Sequence, residues 1–481
     1  MSRLLLLLFI IFMNGIIPVS GYAQNIGIGT NTPSQKLDVN GAIEIGGTTM
    51  NTPGAIRWNE SKSDFEGYNG HAWVSLTGGK GKWGDQNTYC TENGSTSEVL
   101  MNTAYGLAYD LAAEGDWMVA GAPDEGIPND PNQGAAGGIH IYHLEGDDWK
   151  SKYIKYDPDG HNSDHFGLSV GMSSTHVIAG AHNADLWIAP NIGKAYIYSY
   201  DASNCSLQAT LLASDGQADD YFGTAVAIHG DYAVSGAKGK DVNAISDVGR
   251  AYVYSRSGSV WTENAKLNPP DGQMNDGFGS ECAVWGDYIA VSTPYKTYNG
   301  MIYAGKAYVY KRSGNTWDLI AQLNSPVPKE KEYYGRRLFL RDNVLLVGAP
   351  EDNGYPTDGP GSVYVYQINN TTVTYEATLQ ASDGLHSDGL GIGASYYDGV
   401  IVAGAPNATV GGNKAEGKAY VFRKVNGLWQ EEAILGSAQH EYQMYFGRST
   451  AVTSTYAMIG GPYADTPFFP DNGRVFFYKR Y

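Results

Sequence analysis

Three cysteines in 481 residues (Cys90, Cys205 and Cys282) are too few for a disulfide framework, and their odd number leaves at least one thiol unpaired within the chain. Cys282 falls at an apolar position of a strand-like stretch and reads as a small core residue. Positive charge is scarce as well. The chain has 32 Lys and Arg against 50 Asp and Glu, a net charge of −18, and no basic block. A polyphosphate would be repelled by it, which argues against nucleic acid as a partner. After the first residues no apolar run approaches the roughly 20 residues a membrane helix needs, so no transmembrane span is expected. What is abundant is glycine (62) and tyrosine (36), a balance that favours many short strands and turns over helices.

The one long apolar run lies at the start. Arg3 precedes the stretch Leu4 to Met13, Gly15 and Pro18 interrupt helix continuation, and Gly21-Tyr22-Ala23 supplies small residues before Gln24. This reads as a cleaved signal peptide over residues 1–23, with no cysteine at the cleavage point to carry a lipid. The expected location is secreted or cell surface.

Self-similarity organises most of the remainder. An aromatic-Gly pair or its variant stands at Tyr105-Gly106, Phe166-Gly167, Phe222-Gly223, Phe278-Gly279, Tyr334-Gly335, Leu390-Gly391 and Phe446-Gly447, with a first interval of 61 and then a constant 56. A Gly-Ala-Pro-like marker follows each pair, for example Gly236-Ala237-Lys238, Ser292-Thr293-Pro294 and Gly348-Ala349-Pro350. A third marker, an alternating strand, recurs at Ile139, Ala195, Ala251, Ala307, Val363, Ala419 and Val475, at the same 56-residue period. Each unit divides into four strand-like pieces, and Gly115-Asp116, Gly230-Asp231, Gly286-Asp287 and Asp398-Gly399 supply tight hairpin turns between the first two. A four-stranded sheet repeated seven times predicts an all-β, seven-bladed β-propeller over residues 82–481. The last unit ends after its third strand, and the segment near 82–90, with Trp83 resembling Trp149, Trp261, Trp317 and Trp429, is expected to complete it.

These markers resemble the FG-GAP repeats of integrin α-subunit propellers and their bacterial relatives. The resemblance implies a propeller that recognises a partner outside the cell. Integrin-like calcium loops occupy first hairpins, whereas here those hairpins are short, as in Ile228-His229-Gly230-Asp231-Tyr232, so calcium is not expected there. Residues 24–78 differ in texture. Asn25-Ile26-Gly27-Ile28-Gly29-Thr30, Gln35-Lys36-Leu37-Asp38-Val39-Asn40-Gly41 and Gly54-Ala55-Ile56-Arg57-Trp58-Asn59 resemble the short stalk segments of tail-fibre-like surface proteins. That resemblance implies an extended β stalk and a homotrimer formed through it; a linker is the alternative.

Catalytic patterns are weak. Gly167-Leu168-Ser169-Val170-Gly171 fits the nucleophile-elbow spacing but occupies a repeated strand position. His161 and His165 lack the helix and the glutamate of a zinc motif, and Gly389-Leu390-Gly391-Ile392-Gly393 lacks a phosphate-binding helix. No convergent acid, base and nucleophile set supports an enzyme, so a hydrolase or lyase site in the central channel is the third of three readings. The loops leading into the first strands are stronger candidates. Asp159 and Asp164, Asp215 and Asp220, Asp271 and Asp276, and Asp383 and Asp388 repeat one carboxylate spacing, which reads first as acceptors for the N-H groups of a glycine turn and second as a donor set for calcium. The longer connections on the same rim carry Trp187, Tyr295, Tyr298, Tyr303, Tyr355, Phe468 and Phe469, whose faces suit a sugar ring or a protein anchor. The leading expectation is a recognition or adhesion protein for an extracellular protein or glycan. A scaffold or fibre component is the second. If the stalk drives assembly, light scattering should give a trimer mass for the exported chain and a monomer mass after removal of residues 25–77; a monomer in both cases excludes stalk-driven assembly.

Overall fold

The computed structural model describes residues 106–480 except 129–134, 147, 187–188, 352–358, 438–439 and 466–471, together with the backbone of five short strands between residues 26 and 75. The chain divides into two units, residues 1–81 and 82–481. In the first unit Ile26–Ile28 pairs in parallel with Leu37–Val39, and Ile56–Asn59, Asp64–Tyr68 and Trp73–Ser75 form an antiparallel sheet. The signal peptide, the Trp83 segment and Cys90 lie outside the described residues.

The second unit is a ring of seven antiparallel sheets, each ordered as it runs in sequence. Blade 3 is representative: Phe222–His229, Tyr232–Ala237, Arg250–Ser257 and Val260–Leu267 lie side by side, within a few residues of the expected strands. Blade 7 has three strands among the described residues, Ser449–Val452, Tyr456–Gly461 and Arg474–Lys479. His229 pairs directly with Tyr232 across Gly230-Asp231, so the first hairpin is the tight turn that its glycine predicts. Third and fourth strands slip register at one repeated place, between Val253 and Tyr254 in blade 3 and between Val309 and Tyr310 in blade 4. A bulge there adds local twist, which lets each blade curve away from its neighbour.

The hydrophobic core is seven wedges, one between each pair of successive blades. Between blades 2 and 3, Ile178, Ile197 and Phe222 meet Tyr252, Tyr254 and Trp261. Phe222 is fully buried and meets Tyr252 edge-on at 5.5 Å; Phe278 repeats the contact with Tyr308 at the same distance. Each such ring contributes about 1.5–3 kcal/mol by burial. The last wedge closes the ring: Leu107, Leu111, Met118 and Tyr142 of blade 1 meet Tyr456, Met458 and Phe477 of blade 7.

The parallel bridges between blades correct the repeat frame at its start. Phe166, Phe222, Phe278, Tyr334, Leu390 and Phe446 each bridge the glycine before the preceding third strand, and in blade 1 the residue doing so is Leu107, opposite Gly473. The first marker is therefore Leu107-Ala108, not Tyr105-Gly106. Ala108 takes φ +69°, where the equivalent glycines sit near +90°. The interval to Phe166 becomes 59, the same as from Gly121 to Gly180. The additional residues thus fall after Gly121, in the connection to the third strand.

Glycine in the second marker is required by backbone contact. A Cβ on Gly236 would lie 1.9 Å from the Gly279 carbonyl oxygen, and one on Gly404 1.8 Å from that of Gly447. Gly236→Ala should therefore cost at least ~3 kcal/mol, as forced overpacking. Gly230→Ala, at φ +58° with nothing within 4 Å, should cost about 1–2 kcal/mol. Urea denaturation of the two variants checks the order; equal costs would show that the blades can move apart.

Candidate functional site

The first strands line the central channel, and two ion pairs cross it from blade 1 to blade 5. Asp110 Oδ1 lies 3.0 Å from an Arg337 Nη, and Glu114 binds Arg341 through both carboxylate oxygens at 3.0 and 3.3 Å. Arg341 is held between the Trp285 and Tyr397 rings, 4.8 and 4.7 Å from their centroids. Asp110 also accepts the backbone N-H groups of Leu111 and Val170, so its position is set by blades 1, 2 and 5 together. Glu281 faces Arg337 from blade 4 at 4.0 Å. Burial pushes the Glu281 carboxyl up to about 7; Arg337 lowers it and Asp110 raises it.

Above these pairs the channel opens into a cavity of about 190 Å³, lined by Tyr109, Thr224, Lys238, Tyr295, Arg336 and Arg448 together with Asp110, Glu281 and Arg337. Four cations meet two carboxylates at this mouth, in a chain of net charge −18. Arg448 lies over the Tyr109 ring at 4.3 Å and Lys238 over Tyr221 at 5.6 Å. The repeat places these groups together: Tyr109, Thr224, Arg336 and Arg448 each directly follow the marker pair of their blade.

The residue directly before each marker pair takes the left-handed conformation in all seven blades. Gly106, Gly277 and Gly389 do so without steric cost. The other four are His165, Tyr221, Tyr333 and Tyr445, at φ +54°, +57°, +52° and +55°. A side chain in that region costs roughly 1–2 kcal/mol. These four form a broken collar of three separate aromatic clusters, and the carbonyl of each accepts the backbone N-H of the mouth-lining residue three positions on, Leu168, Thr224, Arg336 or Arg448. His182 lies 5.8 Å from His165 and 6.1 Å from Tyr221, Tyr333 meets Tyr295 at 6.1 Å and Tyr303 at 5.7 Å, and Tyr445 meets Tyr463 at 5.7 Å. Burial lowers the His182 pKa to about 3, with Lys238 and His165 adding to the effect, so that imidazole stays neutral.

Of the aromatics expected from sequence, Tyr295 and Tyr303 belong to this cluster, and Tyr303 is 40% exposed. Tyr298 stands apart, over the Lys306 ammonium at 5.4 Å. Trp187, Tyr355, Phe468 and Phe469 lie outside the described residues. The collar itself was not singled out from the sequence, although an aromatic or imidazole ring directly before the marker pair in four units was a readable signal.

The aspartates of the lead-in loops divide into two groups. The first of each pair anchors the start of the third strand: Asp215 accepts from Tyr252 Oη at 2.8 Å and Arg250 at 2.5 Å, Asp271 from Tyr308 Oη at 2.6 Å and Lys306 at 2.8 Å, and Asp383 from Tyr420 Oη and Lys418, both at 2.7 Å. Asp159 does the same with Tyr196, at 3.0 Å, and Lys194. At Asp215 burial works to raise the pKa and is outweighed by Lys266, Tyr252 and Arg250, so it falls below the usual carboxylate value. The second aspartates, Asp164, Asp220, Asp276 and Asp388, are buried beneath the loop. Among the described residues no three His, Cys, Asp or Glu side chains converge as metal ligands, and no helix is long and apolar enough to cross a membrane. Cys205 and Cys282 are buried free thiols.

The FG-GAP repeat family matches residues 156–198, 205–254 and 261–310, which run from the end of blade 1 into the third strand of blade 4. No curated protein matches the chain. The match to the FG-GAP repeat thus falls on blades 2 to 4 of a seven-bladed β-propeller.

Glu281 supplies a pH test of the channel. Its native pKa of about 7 stands above the ordinary 4.5, so between those values the folded protein holds a proton that the unfolded chain has lost. Stability therefore falls as pH rises across that interval. Melting temperature followed from pH 4 to 8 should decline less in Glu281→Gln than in the parent; superimposable declines would remove Glu281 as a titrating group.

Proposed function

We propose that this chain is a secreted or cell-surface recognition protein that binds an anionic glycan at the collared mouth of its propeller. The carrying observation is the set of four aromatic and imidazole side chains held at positive φ, each three residues before a residue that lines the cationic mouth. Glycine fills the same position in three blades at no steric cost, so rings retained in four blades point to a use. A rigid aromatic wall stacks on sugar rings with little loss of side-chain entropy, and guanidinium groups match carboxylate or sulfate oxygens. The ion pairs crossing the channel fix the floor of the site. The apolar stretch at residues 4–13 supports export.

A glycan array holding neutral, uronate-bearing and sulfated sugars tests this reading. The parent should retain acidic glycans in a salt-sensitive manner. The triple variant Tyr221→Gly, Tyr333→Gly and Tyr445→Gly should lose at least tenfold in affinity while staying within about 2 kcal/mol of parental stability, because relief of the strained φ offsets lost ring contacts. Undiminished acidic-glycan binding by the variant would overturn the collar's role. Binding of a protein by a parent that retains no glycan would replace the ligand class.

A further inference from the structure

Four blades share the Asp-Gly loop, yet they differ in what neutralises its buried second carboxylate. In blade 3 the Lys240 ammonium lies 3.0 Å from Asp220 Oδ2, 3.1 Å from Gln217 Oε1 and 2.7 Å from the Asp215 carbonyl oxygen. In blade 4 the Lys296 ammonium lies 2.7 Å from Asp276 Oδ2 and 2.6 Å from the Asp271 carbonyl oxygen. Each loop is an oxygen cage closed around an internal cation.

The same backbone position is Ala184 in blade 2 and Ala408 in blade 6. Its equivalence is fixed by one hydrogen bond: the carbonyls of Ala184, Lys240, Lys296 and Ala408 all accept from the glycine that precedes the third strand, at 2.9 to 3.0 Å. The cage therefore persists in blades 2 and 6 without the ammonium. Blade 2 also gains a second carboxylate, because Asp157 stands where blade 6 has Ala381 and blade 3 has Ala213.

Asp164 and Asp157 are 2% and 4% exposed, and the Oδ2 atom of each has no hydrogen-bond partner within the protein. His161, in the position of Gln217, stands 3.7 Å from Asp164 Oδ2. Asp159 is not free to neutralise the pair, since its carboxylate is engaged by Lys194 and Tyr196. Burial, with Asp157 as the next cause, pushes the Asp164 carboxyl up to about 8. Two buried carboxyls side by side must share a proton or a cation.

We propose that blade 2 binds a calcium ion where blades 3 and 4 place a lysine ammonium, through the Asp157 and Asp164 carboxylates and the Asp159 carbonyl oxygen. Two carboxylates balance a divalent charge, and a mixed set of carboxylate and carbonyl oxygens completed by water suits calcium better than the stricter octahedron of magnesium. Blade 6 keeps one carboxylate, Asp388, and lacks the second charge. This site is independent of the glycan reading, since it lies in a loop under the rim and involves none of the collar residues.

Calcium chloride is titrated into the chelator-stripped full chain by calorimetry, with melting temperature recorded in parallel. The parent should show one saturable site and a melting temperature that rises with calcium concentration. Ala184→Lys restores the blade 3 arrangement, so it should fold, melt above the stripped parent and show no saturable heat. Asp164→Asn should weaken calcium at least tenfold. Absence of saturable heat and of any melting shift in the parent would overturn the proposal, leaving a shared proton in the pair. Parental titration by Ala184→Lys or by Asp164→Asn would place the ion elsewhere, and equal affinity for magnesium chloride would overturn the choice of calcium.

Discussion

Backbone-to-backbone contact between successive blades is the constraint on which the rest of this propeller depends. The second-marker glycine of one blade stands so close to the marker-pair carbonyl of the next that no Cβ fits between them: a Cβ on Gly180 would lie 2.0 Å from the Gly223 oxygen, and one on Gly348 the same distance from that of Gly391. Beside these approaches, hydrogen bonds within each blade, such as Gly391 N-H to the Gly404 carbonyl at 3.0 Å in blade 6, hold the marker pair against its own second strand. The spacing of the inner ring is thereby set by main-chain atoms, and side chains fill what remains: large aromatic wedges further out and a narrow channel at the centre.

A channel of that width can carry charged groups only if they are paired across it. The Asp110–Arg337 and Glu114–Arg341 pairs do this, and each joins blades 1 and 5, far apart in sequence. Buried ion pairs add little net stability, but loss of one partner is costly. Their role is better seen as fixing one arrangement of the inner strands. The mouth above them inherits that rigidity, so the side chains at Tyr109, Thr224, Arg336 and Arg448 are displayed on a frame with little freedom to close or spread.

Local repetition also separates structure from exception. Where several units agree, the residues have packing or turn roles: Phe222 and Phe278 in the wedges, Gly230 in the hairpin, Asp215 and Asp271 on tyrosine hydroxyls. Where they disagree, chemistry becomes available. Tyr333 stands where Gly277 and Gly389 suffice, and Ala184 stands where Lys240 and Lys296 neutralise a buried carboxylate. A carboxylate spacing that is uniform in sequence thus conceals unlike sites, because the discriminating residue lies some 20 positions downstream in another connection.

By itself the sequence determined blade number, period, strand positions and hairpin turns, since each depends on local alternation, glycine at positive φ and a spacing that can be counted. It misplaced the start of the frame: Tyr105-Gly106 looks like the marker, yet the inter-blade bridge selects Leu107-Ala108, whose alanine accepts a left-handed φ that the pattern assigns to glycine. Tertiary structure alone decided which charges meet, because the Asp110–Arg337 and Lys240–Asp220 pairs arise only when the ring closes and loops fold back on one rim. It also decided that the rings at His165, Tyr221, Tyr333 and Tyr445 form a collar. Sequence spacing places them at multiples of the 56-residue period, but only the closed ring brings that period round to one circle.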